Sequence, residues 1–537
     1  MKKSNIYFPL IFAIILIIGI LVGRTVSLSN AQTSFFPSIT TRPFNKLTEV
    51  LNYITHEYVD SVGEKTLTES AINGMIQKLD PHSFYIPAEE LQAVNEPLEG
   101  NFDGIGVEFH IQEDTIMVVS PISGGPSEAL GIQSGDRIVK IEGESVAGKG
   151  ITNHDVMQKL RGPGGTKVKV SIFRRGKRDL INYTITRGKI PIHSLEIAYM
   201  LNDSTGYIKI SRFAETTYDE YIQAFEQLRQ NNLKSLILDL RGNPGGYLNA
   251  AQLIADEFLE EKKLIVYTQG RSRPKASYFA TERGGFEYGK LAVLMDEGSA
   301  SASEIVAGAI QDWDRGTIVG RRSFGKGLVQ DQANLPDGSA LRLTIARYYT
   351  PSGRCIQKSY KDGAEQYNNE LLLRLQHGEL EHADSISFPD SLIYKTLLKH
   401  RKVYGGGGIT PDVFVPLDTS MHSVFLAQVL NTGIINQFVF DYVDKNRNQL
   451  AKYHDFEAFR REFKITDDIY KSFVAYAEKA GTEKDPDGVR LSSSFIRLQV
   501  KALIARQLWK NEGYYPIVHE TDKALLKAVE VVGRKAE

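Results

Sequence analysis

Apolar and polar positions follow several different rhythms along the chain. Behind Lys2 and Lys3 comes an apolar run over residues 6–22, seventeen positions without Asn, Asp, Glu or Lys. A bilayer-spanning helix needs about 20 apolar residues and a signal peptide roughly 7–15. The run falls between the two, and Ser29 and Ala31 form a small-x-small cleavage pattern. An uncleaved anchor and a cleaved signal peptide therefore both stand as readings. Either one exports the rest of the chain, because the basic end stays inside. Residues 32–43 are polar with Pro37 and Pro43 and read as a stalk. From residue 44, Leu47, Val50, Leu51 and Ile54 recur at three and four positions, the period of an amphipathic helix. A second helical pattern over 67–79 closes at Asp80-Pro81, since proline disfavours helix before it.

Over residues 102–187 the pattern becomes β. Runs at 106–111, 115–119, 136–141, 167–174 and 179–186 are parted by Gly and Pro turns, with short helices expected at 127–130 and 153–160. That order suggests a small β-barrel capped by helices. From Gly206 the rhythm is strand, turn, helix. The buried strand 236–240 leads through Arg241-Gly-Asn-Pro-Gly-Gly246 into a helix to Leu259. The buried strand 291–295 leads through a Ser-rich turn into a helix to about Ile310. Continuous apolar strands alternating with helices indicate an α/β layer with a buried sheet. Residues 360–403 are polar and charged and read as an insertion. Beyond Pro416 the chain is mostly helical, with Ile496, Val500 and Leu503 on one face.

At 537 residues the chain has room for three or four domains of about 150 residues each. Its 64 Lys and Arg against 65 Asp and Glu leave a net charge of −1, without the basic footprint of a nucleic-acid binder. Cys355 is the only cysteine. A lone thiol excludes an internal disulfide, a cysteine-rich zinc site and a CxxC redox pair. There is no HExxH, and His82 in Leu-Asp-Pro-His-Ser reads as structural, so neither metal nor cofactor is expected.

Gly298-Ser-Ala-Ser-Ala-Ser-Glu304 follows a buried strand and opens a helix, where α/β folds place ligands. Small residues admit a substrate to the backbone, and free N–H groups at a helix start can stabilise an oxyanion. A Ser-rich turn also simply caps helices. A serine nucleophile needs a base, and no GxSxG elbow or histidine motif supplies one. Lysine is the other partner. Lys326 lies in Phe324-Gly-Lys-Gly-Leu-Val-Gln330, a glycine-flanked turn between strand-like stretches. It serves only if burial lowers its pKa from about 10.4 towards about 7–8. Residues 320–326 also fit GxxxxGK, but Gly327 stands where a phosphate loop needs Ser or Thr. The glycines of the 241–246 turn can offer a second oxyanion donor, and Gly104-Ile-Gly-Val107 before a strand can hold a terminal carboxylate while a peptide adds as a strand.

Taken together, residues 44–415 resemble the carboxyl-terminal processing, or tail-specific, proteases. The resemblance rests on Gly104-Ile-Gly-Val107, Gly125-Pro-Ser-Glu-Ala, Gly131-Ile-Gln-Ser-Gly-Asp136, Asp239-Leu-Arg-Gly-Asn-Pro-Gly-Gly246, Gly298–Glu304 and Gly325-Lys-Gly-Leu-Val-Gln330, in the family's order. It implies an α/β multidomain protein: a crotonase-like α/β protease core, an inserted PDZ β-barrel, an N-terminal helical region and a C-terminal helical extension. The expected boundaries are 1–31 for the export segment, 32–43 for the stalk, 44–100 for the N-terminal helices and 101–188 for the PDZ domain. The core then runs over 189–416 with the 360–403 insertion, and the extension over 417–537. The resemblance further implies Ser301 as nucleophile, Lys326 as general base and Gln330 as the residue positioning it. The oxyanion donors would be the N–H of Ala302 and of Gly245 or Gly246. Gly104, Ile105, Gly106 and Val107 would bind the substrate's C-terminus, and Arg161 would couple PDZ position to the active site. Expected partners are proteins with apolar C-terminal tails, the membrane through the N-terminal segment, and a second copy or an adaptor. The enzyme would work on the outer face of the cytoplasmic membrane.

Overall fold

The computed structural model describes residues 45–112 and 114–534. The expected export segment and stalk lie outside these residues. Among the described residues, 45–75 form a unit of their own. In it the Lys46–Glu57 helix starts at Asn45, whose side chain accepts the Thr48 N–H, and its stripe of Leu47, Val50 and Tyr53 is exposed. The Glu64–Ile76 helix begins there too, displaced from the expected 67–79. Among the described residues no helix is long and apolar enough to cross a membrane.

From Ile76 onward the chain builds around a six-stranded sheet. Its strands, in spatial order, are Leu195–Met200, Thr205–Ile210, Ser235–Asp239, Lys290–Met295, Thr317–Gly320 and Val413–Phe414. Only the first pair is antiparallel. Strand side chains alternate between faces. Leu236 and Leu238 therefore enter one cluster, with Phe225, Ile254 and Val306 from helices Thr217–Gln230, Leu248–Asp256 and Ala302–Asp312. Ile237 enters the opposite cluster with Ala524, Leu525 and Ala528 of the Lys523–Gly533 helix. Burial on both faces is why these strands read as unbroken apolar runs. The last helix of the chain thus covers one face of the central sheet.

A second, antiparallel sheet lies in the same body. It orders Phe84–Ile86, Ala340–Tyr349, Leu264–Gln269 and Ala276–Phe279, with Leu328–Asn334 also pairing Ala340–Tyr349. A neck of two antiparallel strands, Asn101–Gly104 and Gly188–Pro191, leads out to the β-rich domain and back. There the strands Val107–Gln112, Thr115–Pro121, Arg137–Ile141, Lys167–Phe173 and Ile181–Thr186 lie within two residues of the expected runs. The helices Pro126–Ala129 and Asn153–Leu160 close the barrel, the latter opened by a Thr152–Asp155 capping box.

The helices between Val424 and Val518 share a core of their own, in which Ile496 and Val500 are buried and Leu503 half-buried. This helical cluster grips the outer face of the β-rich domain. Gln112 donates to Asp441 at 2.8 Å, Arg175 pairs with Asp444 at 2.7 Å, and the rings of His110 and Phe440 meet edge-on at 5.2 Å.

Asp522 joins the last helix to the sheet. Its carboxylate caps Lys523–Gly533 by accepting the N–H groups of Ala524 and Leu525, both at 3.0 Å. It also holds the Arg241 guanidinium through two bonds of 3.0 and 2.8 Å. Burial pushes the Asp522 carboxyl up, but Arg241 and the Leu525 N–H outweigh burial and hold it below its ordinary value. Asp239, fully buried and paired with Arg241, is depressed in the same way against its burial. A depressed carboxyl contributes stability that is complete above its unfolded pKa of about 3.9 and is lost as pH falls towards the folded value. Thermal unfolding followed from about pH 5 downward should show this loss, and Asp522→Asn should lower the midpoint at neutral pH while flattening the acid limb.

Candidate active site

The carboxyl ends of the Ser235–Asp239 and Lys290–Met295 strands lead into two turns that pack against each other. Asn243 locks them. Its Oδ1 accepts the Gly245 N–H and its Nδ2 donates to the Ile210 carbonyl, both at 2.9 Å. Its own carbonyl accepts the Ala300 N–H at 2.9 Å and the Ser303 hydroxyl at 3.0 Å. The approach is so close that a Cβ on Gly245 would lie 2.7 Å from the Ser301 Cβ, and one on Gly246 would lie 2.0 Å from the Phe213 carbonyl oxygen. Both residues also have positive φ, so glycine is required twice over.

The three serines of the run have different fates. Ser299 and Ser303 are fully buried, with their hydroxyls donated to the Leu240 and Asn243 carbonyls. Ser301 lines a cleft of about 900 Å³ together with Lys326, Gln330, Gly245, Gly246 and Tyr348. Leu248, Leu253, Ile305 and Val329 supply its apolar wall. The Ser301 backbone sits at φ 54° and ψ −112°, outside the regions comfortable for an L-residue. Such strain costs on the order of 1–3 kcal/mol and persists only where the surroundings impose it. Here they do: the Ser301 N–H donates to Glu304 at 2.8 Å and its carbonyl accepts from Tyr348 at 3.0 Å.

Glu304 joins this loop to the next one. Its carboxylate is fully buried and accepts the Ser301 N–H, the Lys326 N–H at 2.9 Å, the Gly325 N–H at 2.8 Å and the Ser323 hydroxyl at 2.5 Å. The N–H groups that a phosphate loop would turn towards an anion are thus taken by a side chain of the protein. Tyr348 repeats the link, its hydroxyl reaching the carbonyls of both Ser301 and Lys326. Glu304 has a legible signal, since Ser-x-x-Glu before an apolar run marks a helix start. Tyr348, on a strand of the second sheet, has none.

The Lys326 ammonium donates to Gln330 Oε1 at 3.0 Å, and Gln330 Nε2 is held by the His82 carbonyl. Among the described residues no hydrogen bond joins Lys326 directly to the Ser301 hydroxyl. Burial, reinforced by the positive charge of Arg342, pushes the Lys326 pKa down against the opposing pull of Glu304 and Asp80. Of the expected oxyanion donors, the Gly245 N–H is spent on Asn243. Among the described residues, the N–H groups of Gly246 and Ala302 have no hydrogen-bond partner.

In the β-rich domain, Gly104 ends the neck strand, Ile105 is buried and Gly106 has φ 74°. The carbonyls of Ile105 and Gly106 accept from Ser127 and Ile122, while among the described residues their N–H groups have no partner. Val107 begins an edge strand paired on one side only. Arg161 contacts Glu96 at 2.5 Å and stacks on the Phe102 ring at 4.5 Å. Glu96 lies on the Ala88–Glu99 helix, whose Asn95 and Leu98 line the cleft beside Ser301.

Replacing Glu304 by Gln exchanges an acceptor oxygen for a donor and strands two of the four bonds, each worth about 1–3 kcal/mol when buried. Glu304→Gln should lower the unfolding free energy in denaturant titration by roughly 2–5 kcal/mol.

The model of peptidase family S41 matches residues 204–364, and that of a PDZ domain matches 104–185. A model described as the activating protease CtpB N-terminal domain matches 25–90, and a family of unknown function matches 425–510. The carboxy-terminal-processing protease of Bartonella bacilliformis is 36% identical over 343 residues, 63% of this chain and 76% of that protein. The carboxy-terminal processing protease CtpB of Bacillus subtilis is 36% identical over 358 residues, 64% of this chain and 74% of that protein. Among solved structures, the photosystem II D1 C-terminal processing protease is 25% identical, with a TM-score of 0.36 over 70% of this chain and 93% of that one. The chain belongs to the carboxyl-terminal processing proteases, PDZ-containing serine peptidases of family S41.

Proposed function

We propose that the protein cleaves polypeptides through an acyl-enzyme on Ser301, with Lys326 as general base, after its PDZ domain has taken hold of the substrate's C-terminal tail. The observation that carries this reading is the cleft itself: a partly exposed serine on a strained turn, a partly buried lysine with a lowered pKa, and two N–H groups around them that have no partner among the described residues. Neutral Lys326 takes the Ser301 hydroxyl proton as the oxygen attacks the scissile carbonyl. The oxyanion settles on the N–H groups of Ala302 and Gly246, and each such donor is worth about 10²–10³ in rate. The ammonium then passes its proton to the leaving amine; the neutral lysine later takes a proton from the attacking water and returns it to the Ser301 oxygen as the acid is released. In the free enzyme the lysine is turned to Gln330, in keeping with catalytic contacts that tighten only once substrate is bound.

The unpartnered N–H groups of Ile105 and Gly106 suit a terminal carboxylate, and the open edge of Val107–Gln112 suits an added strand. Arg161, through Glu96, ties that domain to the helix at the cleft. The apolar wall favours an unstructured segment with an apolar residue at the scissile bond. Lys2, Lys3 and the apolar run behind them would place this activity on the outer face of the cytoplasmic membrane.

The full-length chain in detergent, incubated with an unstructured protein ending in an apolar tail, should cleave it. Ser301→Ala and Lys326→Ala should each lose at least about 10³ in kcat/KM. Cleavage retained in Ser301→Ala would overturn the assignment. The same substrate ending in two aspartates should be cut more slowly. Because the neutral lysine is the active form, kcat/KM should rise with pH, with a midpoint below the ordinary lysine value of about 10.4.

A further inference from the structure

We infer that the 360–403 insertion braces the Lys326 loop, with Tyr367 as a positioning residue that acts on Lys326 through His82 and Gln330. The inference rests on the reading of Lys326 as the general base. Three hydrogen bonds run in series. The Tyr367 hydroxyl meets His82 Nε2 at 2.6 Å, the His82 carbonyl holds Gln330 Nε2, and Gln330 Oε1 accepts from Lys326 Nζ at 3.0 Å. Burial, with Lys326 next in weight, pushes the His82 pKa down to about 4, so at neutral pH its ring is uncharged and shares a single proton with the tyrosine hydroxyl across this contact.

The insertion also reaches the loop directly. Arg374, 3% exposed on the Ala364–Gln376 helix, donates to the Ser323 carbonyl at 2.9 Å. Arg322 pairs with Glu379 through bonds of 2.5 and 2.7 Å. Lys358 lies 4.0 Å from the Phe324 ring and 4.1 Å from that of Tyr367, while bonded to Glu370 at 3.1 Å. The two residues before Lys326 are thus both fixed, Phe324 by packing against Lys358 and Tyr367 and Gly325 by its bond to Glu304. A loop fixed on this flank keeps the amine partly withdrawn from water, and that burial is what lowers its pKa.

The test compares wild type, Tyr367→Phe, His82→Ala and the double variant as full-length chains in detergent. Tyr367→Phe keeps the ring and removes the hydroxyl. It should lower kcat roughly ten- to a hundredfold with KM unchanged, and move the acid limb of kcat/KM to higher pH as water reaches Lys326. The charges facing that amine, Arg342, Glu304 and Asp80, are untouched by the substitution. His82→Ala should do the same, and the double variant should be no worse than the weaker single one, since both remove links of one series. Wild-type kcat and pH limb in Tyr367→Phe would overturn the inference. So would additive losses, or a fall in kcat without movement of the limb, which is what a smaller folded fraction produces. Lys326→Ala serves as the control: if it cleaves as wild type does, the base assignment fails, whatever Tyr367 does.

Discussion

A carboxylate with no exposed surface holds together two loops that the chain delivers from different strands. Glu304 accepts from Ser301 on one side and from Ser323, Gly325 and Lys326 on the other. Burial pushes its pKa up, and the four donors pull back against that shift without cancelling it. The bonds do more than satisfy a buried acid. They set the separation of two backbone segments whose side chains share one cleft, and they hold Ser301 in a conformation it would otherwise leave. Tyr348 closes the same gap from the second sheet, so the geometry is specified twice.

The basicity of Lys326 depends on a balance that this carboxylate also enters. Burial and Arg342 lower the lysine pKa, while Glu304 and Asp80 raise it. Glu304 meets the lysine backbone rather than its ammonium, so it fixes the loop without neutralising the side chain in an ion pair. Arg342 is itself held by Asn95 at 2.9 Å, on the helix whose neighbouring residue Glu96 meets Arg161 of the PDZ domain. The charge that weighs most on the Lys326 pKa and the PDZ domain are therefore tied to one short helix.

The C-terminal part of the chain reaches both ends of the molecule's chemistry. Its helical cluster grips the outer face of the PDZ sheet through His110, Gln112 and Arg175, and leaves the edge of Val107–Gln112 unpaired. A displacement of the PDZ domain relative to this cluster has to break these contacts. The final helix covers one face of the central sheet, and Asp522 grips Arg241, two residues before the Asn243 that anchors the glycine turn.

Local chemistry made much of this legible from the sequence. Unbroken apolar strands revealed a sheet buried on both faces, alternating runs revealed the β-rich domain, and glycines at 245 and 246 marked a close approach of backbone. The Ser-rich and Gly-Lys-Gly turns stood out because small residues there have a steric reason. The second sheet stayed hidden, since its strands are largely half-exposed and pair residues as distant as Phe84 and Arg342. Tyr348, the His82 carbonyl and the buried face of the insertion stayed hidden for the same reason. Which serine faces the cleft was decided by where the Leu240 and Asn243 carbonyls fall, and which glycine keeps a free N–H by the Asn243 side chain. Sequence determined the elements, because propensity, periodicity and turn sterics act over a few residues. Tertiary structure alone decided which donors are spent and which are left free, because a buried hydrogen bond depends on partners that the chain brings together only when it folds.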